Sequence, residues 1–299
     1  MLGLPDQFSA EFIARLEQLR IKTRREFAGL GHGAHLSPRR GSSLEFNDYR
    51  HYALGDDMRY IDWSLYGRSD KLYIKLFKEE EDLLTYIFVD ASASMAYPAV
   101  DHKFQAAIAT ALALAYVALA SGNRVMVRVM AGSGSLPAGG FVMGRHRVSE
   151  LSRQLLAVRP AGALDLAPAM ARELAAIRRA GKLFLVSDFQ MRLDSLRQGF
   201  GLLLAANMDA SAVQILGEAE LEGAGLEGDV EVVDAESGER VRVAMSKRAR
   251  EQHRTTLTRL AREVRVCCLR AGLRYALYST AHGFQDFFLH AVTELGLVQ

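Results

Sequence analysis

From Leu83 onward the sequence alternates short apolar runs with longer stretches of helical period, and this rhythm constrains the fold more than any other feature. Leu83 to Val89 is an apolar run of strand length, Lys103 to Ala120 repeats apolar residues through five helical turns, and Arg124 to Met130 is a second, valine-rich strand. Strand, helix, strand is a βαβ unit, whose crossover makes the two strands parallel. The rhythm continues with helices over 148–158 and 166–180, the run Leu183 to Ser187, a helix over 195–206 and a strand over 212–216. Strands this uniformly apolar are buried on both faces, so the pattern predicts a doubly wound, mostly parallel α/β sheet with helices on both faces.

The rest of the chain hangs on that frame. Residues 1–82 read as an appendage: a helix from Phe8 to Leu19, a loop containing Gly29, Gly31 and Gly33, and a polar, aromatic stretch with one strand-like alternation at Leu72, Ile74 and Leu76. Residues 83–299 form the sheet domain. It carries an acidic β-hairpin at 217–245, turning through Asp234 to Glu239, and closes with a helix over 246–271, a strand over 274–279 and a helix over 284–295. The apolar run Ala106 to Ala120 reads as a core helix, not a membrane span.

Composition narrows the function classes. With 37 Lys and Arg against 35 Asp and Glu in 299 residues, the net charge of +2 gives no general attraction to nucleic acid or to anionic membranes. The two cysteines, Cys267 and Cys268, are neighbours and unsuited to an ordinary disulfide; they read as buried thiols of a cytoplasmic protein. The N-terminus lacks the basic-then-apolar layout of a signal peptide. The eight histidines are scattered without ligand spacing, and the glycines at 29–33 lack the Lys-Ser or Lys-Thr ending of a phosphate loop.

One constellation carries chemistry. Asp90, Ser92 and Ser94 form D-x-S-x-S at the end of the first sheet strand, and Asp188 stands at the end of another. Ligands of such sheets bind outside the carboxyl ends of the strands, and carboxylate and hydroxyl oxygens suit Mg²⁺. The alternative is a loop in which Ser92 and Ser94 only cap the following turn. Upstream, Arg50 and Arg59 lie among Asp56, Asp57 and Asp62, a composition that predicts a structural clasp of ion pairs plugged by Trp63, the single tryptophan.

These residues resemble a known pattern. D-x-S-x-S with a later aspartate resembles the metal-ion-dependent adhesion site of the von Willebrand factor A fold. Glu45-Phe46, Arg50, Tyr52, Gly55-Asp56-Asp57, Arg59 and Ile61-Asp62-Trp63 are similar to the signature preceding that fold in the bacterial domain-of-unknown-function 58 family. The resemblance implies a second loop reading Gly-Gly-Thr-Asp-Leu. Here it reads Gly162-Ala163-Leu164-Asp165-Leu166, so Leu164 replaces the oxygen-bearing threonine and Asp165 or water is left to fill the gap. It further implies a non-catalytic interaction module with a degenerate Mg²⁺ site, serving as adaptor or co-chaperone to a MoxR-type AAA+ ATPase. A metal-dependent hydrolase built on the Asp90 and Asp188 loops is the competing expectation.

Overall fold

The structure is a computed structural model that describes residues 7–24, 44–79, 83–130, 140–223, 228–233 and 239–298. The chain divides into a small unit, residues 28–82, and a large one formed by residues 1–27 with 83–299. The glycines at 29–33 and the hairpin turn after Val233 lie outside the described residues.

The large unit begins with α1 (Ala10–Gln18) and β1 (Arg20–Ile21). Ser9 caps α1 by accepting the Phe12 N–H. Sequence reading grouped this helix with the appendage, but it belongs to the sheet unit. Phe12, Leu16 and Leu19 are buried, Phe12 meets Phe284 and Phe288 edge-on at 5.8 and 5.9 Å, and β1 pairs antiparallel with the chain's last strand. An amphipathic helix can bury its stripe only against an existing core, and the nearest one comes from residues far along the chain.

The small unit holds β2 (Leu44–His51), α2 (Trp63–Ser69) and β3 (Tyr73–Glu79), with β2 and β3 antiparallel. The strand over β3 is expected from its alternation. The sequence reading missed β2, whose register shifts between Phe46 and Asp48 and so breaks the two-residue period.

The sheet of the large unit contains β4 (Leu84–Asp90), β5 (Arg124–Met130), β6 (Lys182–Ser187), β7 (Asp209–Leu216) and β10 (Arg274–Ser279) in the order β10-β7-β6-β4-β5, all parallel. The doubly wound α/β class expected from the sequence is the one the chain adopts. Along β4 side chains alternate faces. Ile87 and Val89 join a core with α3 (Lys103–Ala120), α4 (Val148–Leu156), α9 (Phe284–His290) and α1. Tyr86 and Phe88 join another with α5 (Leu166–Ala176), α6 (Leu193–Ala205) and α8 (Lys247–Arg270).

α3 is apolar on nearly all sides, and the helical segment Ala99–Ala120 that contains it is long and apolar enough to cross a membrane, but nearly all of its most apolar stretch is buried inside the protein. It is the core helix, its alanines allowing close approach to the strands. β7 leads into the short α7 (Glu218–Glu222), and β8 (Gly228–Val233) and β9 (Arg240–Met245) form the antiparallel hairpin. The final helix expected over 284–295 is two pieces, α9 and α10 (Val292–Leu295), before β11 (Leu297–Val298).

Candidate metal centre at the sheet edge

The strand order makes a crevice. α3 carries the chain from β4 to β5 on one side, and the chain then returns to add β6 on the other side of β4. The carboxyl ends of β4 and β6 therefore flank the point where the winding reverses, which is where open α/β sheets bind ligands. The register pairs Val89 with Val186, so Asp90 and Ser187 follow side by side, and Asp188 is one residue further.

Asp90 is fully buried. Its Oδ1 accepts the Ser92 N–H at 2.8 Å and its Oδ2 accepts the Ser187 hydroxyl at 2.5 Å. Burial first, and the Asp188 charge second, push its carboxyl up to about 7 against the hydrogen bonds from Ser187 and Ser92. Ser92 is buried and Ser94 half-buried, with their hydroxyl oxygens 3.1 Å apart. The Ser92 side chain does not cap the turn that follows, contrary to the capping alternative.

Asp188 is also buried. Its Oδ1 accepts the Gln190 N–H at 3.2 Å and its Oδ2 accepts from Lys103 Nζ at 3.0 Å, while Gln214 donates to its backbone carbonyl at 2.9 Å. Lys103, the first residue of α3, is 1% exposed and donates equally to both Glu220 oxygens at 3.2 Å. Burial pulls its ammonium's pKa down, but Asp188 and Glu220 more than offset this and leave it raised, so the lysine is charged.

Glu220 accepts in turn from Gln190 Nε2 at 2.6 Å. Asp101 caps α7 by accepting from the Ala219 and Glu220 amides at 2.8 and 2.9 Å; a Cβ on Gly217 would collide with that carboxylate, so the turn needs glycine. A cavity of about 740 Å³ opens beside α7, lined among others by Asp101, His102, Glu218, Glu222, His282 and Asp286.

The second loop does reach the first: Ala93 donates to the Gly162 carbonyl at 2.8 Å and Ala161 to the Ala91 carbonyl at 2.9 Å. Its side chains turn elsewhere. Leu164 is 4% exposed and packs into the core with Leu166, Phe189 and Phe200. Asp165, expected to stand in for the missing threonine, instead accepts the Ser195 hydroxyl, since Ser195 also accepts the Ala167 N–H at the start of α5. Sequence reading also missed Ser187, Lys103 and Glu220. Only Lys103 left a trace, as a lone charge heading an apolar helix.

The donor set fits a weakly held cation. Octahedral Mg²⁺ with oxygens at about 2.1 Å places neighbouring ligands about 3 Å apart, close to the Ser92 to Ser94 spacing. Two carboxylates lie close enough that one raises the other. Among the described residues no group of three or more His, Cys, Asp or Glu side chains forms a metal cage, so hydroxyls and water would complete the shell.

The upstream motif is arranged differently from a single clasp. Arg50 pairs with Asp56 at 2.9 Å and Arg59 with Asp57 at 2.6 Å, and both pairs are solvent-exposed; each aspartate is held below the usual carboxylate range, chiefly by the side-chain hydrogen bond from its arginine. Asp62 is the buried acid. It caps α2 by accepting from the Ser64 and Leu65 amides at 2.9 and 3.0 Å and accepts the Tyr49 hydroxyl at 2.9 Å. Within the small unit Trp63 stands edge-on to Tyr66, their ring centroids 6.2 Å apart.

Comparison with known proteins places these residues in context. The profile of a family described as "Protein of unknown function DUF58" matches residues 48–264. Uncharacterized proteins of Mycobacterium tuberculosis and Mycobacterium bovis are 31% identical over 133 residues, 44% of this chain; the chain spans 39% of the length of these relatives. Solved structures similar to the chain at 10% identity include the conserved hypothetical protein BatB of Bacteroides thetaiotaomicron, with 71% of this chain and 98% of that one covered at a TM-score of 0.40. The SpRpn10 VWA domain is another, with 73% and 100% covered at a TM-score of 0.45.

Proposed function

The chain belongs to the DUF58 family and folds as a five-stranded parallel sheet covered by helices, and from that premise we propose that it is a von Willebrand factor A-like, non-catalytic interaction module whose docking surface is the carboxyl edge of the sheet around Ser94. The observation that carries this reading is the gathering of Asp90, Ser92, Ser94 and Asp188 at the point where the sheet's winding reverses, with Ser94 the least buried of the four. Asp90, Ser92 and Ser94, with Asp188 behind them, would hold Mg²⁺. The ion supplies an open coordination position that an acidic side chain of a partner can take from water, giving a directional and reversible contact.

A metal-dependent hydrolase attacks with a water whose proton a free carboxylate takes, and here the Asp90 oxygens accept from Ser92 and Ser187 while those of Asp188 accept from Gln190 and Lys103. The Ser92 and Ser94 hydroxyls face each other, and the Ser187 hydroxyl is buried between Asp90, to which it donates, and the Phe189 N–H, from which it accepts. This arrangement favours binding over hydrolysis. The family resemblance makes a MoxR-type AAA+ ATPase the partner to test first, in the cytoplasm. Pull-down of that ATPase by the wild-type chain and by Asp90→Ala, with and without chelator, tests the reading. Association weakened by Asp90→Ala is expected; no association under any nucleotide condition would sink it.

A further inference from the structure

Lys103 is the feature of this site that the interaction reading leaves unused. Among the described residues it is one of two fully buried lysines, and its surroundings are built around it. Its ammonium sits 3.0 Å from Asp188 and 3.2 Å from both oxygens of Glu220, which Gln190 and the Asp101-capped turn of α7 hold in place. Three elements, the end of β6, the start of α3 and α7, thus meet on one fixed positive charge.

At the same site, the two groups that would have strengthened a cation's hold are withdrawn. Leu164 is in the core and Asp165 is bonded to Ser195. A buried carboxylate without a counter-charge is costly, and at Asp188 the Lys103 ammonium supplies that charge. A covalently attached ammonium does this at every ion concentration.

We propose that Lys103 is a built-in counter-ion that takes over part of a divalent cation's electrostatic role at Asp188, keeping the sheet edge in its binding shape without metal and setting a ceiling on Mg²⁺ affinity. This rests on the reading of the edge as a docking surface. It says in addition that the surface works largely without metal and that one substitution converts it into a stronger Mg²⁺ site. Removing the ammonium returns the full Asp188 charge to the crevice and takes away a repulsive neighbour of the ion; at close range in a partly desolvated site one unit charge is worth at least about tenfold in affinity.

The test is calorimetric titration of MgCl2 into the full chain and into Lys103→Met, with Lys103→Arg as the charge-preserving control, alongside melting temperatures in MgCl2 and in chelator. Expected are weak binding by the wild type and Lys103→Arg, and binding at least about tenfold tighter by Lys103→Met, with a correspondingly larger Mg²⁺-dependent rise in melting temperature. Equal or weaker binding by a folded Lys103→Met would overturn the proposal, as would tight binding by the wild type that the substitution leaves unchanged.

Should Lys103→Met fold only in MgCl2, that rescue supports the proposal. Should it fail to fold even then, Lys103→Met combined with Glu220→Gln, which removes one charge of each sign, decides by the same tenfold criterion, and failure of that variant to fold in MgCl2 counts against it. The ATPase pull-down is scored separately, so loss of this inference and loss of the docking reading are told apart.

Discussion

Asp90→Asn separates the electrostatics of the sheet edge from its shape. The folded carboxyl titrates near 7, whereas an unperturbed aspartate does so at 3.8. With the folded value the higher one, the native chain binds more protons than the unfolded chain between about pH 4 and pH 7, so this residue's contribution to stability falls as pH rises through that window. At about 1.4 kcal/mol per pK unit the penalty reaches about 4 kcal/mol above pH 7, of which about 2 kcal/mol is already present at pH 5, where the unfolded side chain has ionised.

Asparagine keeps the shape and discards the charge. Its amide oxygen can accept the Ser92 N–H, but its NH2 meets Ser187 Oγ, which must turn its own hydrogen away, at a cost of about 1–2 kcal/mol for the lost charge-assisted bond. The variant is therefore expected to match the wild type at pH 5 and to exceed it by about 2–3 kcal/mol at pH 8. Urea unfolding of both chains at pH 5, 6, 7 and 8 in chelator gives the difference directly, and its growth with pH is independent of the hydrogen-bond cost. A difference that stays flat with pH, or an asparagine variant less stable throughout by a constant amount, would mean that the carboxylate is ionised in the fold at no cost and that the argument from burial and Asp188 is wrong.

Other substitutions probe the surroundings. Leu164→Thr is expected to lose about 2–3 kcal/mol in chemical denaturation because the side chain fills the core, and to leave MgCl2 binding by calorimetry unchanged; tighter binding would show that the loop can turn toward the ion. Thr85, buried in β4, has a hydroxyl with no hydrogen-bond partner, so Thr85→Val should raise stability by about 1 kcal/mol, and a drop in the urea midpoint would reveal a partner. Arg59→Ala should leave the denaturation midpoint in place, since that pair is exposed, whereas Asp62→Ala should cost about 1 kcal/mol or more through loss of the α2 cap; the reverse order would restore the clasp reading. Burial pushes the Cys268 thiol up to about 12, so it should stay unreactive toward a thiol reagent at pH 8 until the chain is denatured; rapid native labelling mapped to Cys268 would contradict its placement.

The sheet was legible because its strands are apolar along their whole length and its helices are long enough to show their period. Asp90 and Asp188 could be marked as candidates because each ends such a strand, and Leu164 could be seen to lack an oxygen. Periodicity reports faces and ends of elements; it does not report which ends meet. That Asp90 lies beside Ser187 follows from β6 pairing with β4, and the register of that pair is settled by packing on both faces of the sheet. That Asp188 is answered by Lys103 follows from the start of α3 and the α7 turn arriving at the same edge, over sequence separations of 85 and 117 residues. Even the placement of α1 with the sheet unit waited on a core assembled from α3 and from residues beyond 280. Local sequence determined which residues could be buried or could bind; only the tertiary structure decided which charges became neighbours, because the desolvation and Coulomb terms that govern this site depend on distances that the chain acquires when the sheet closes.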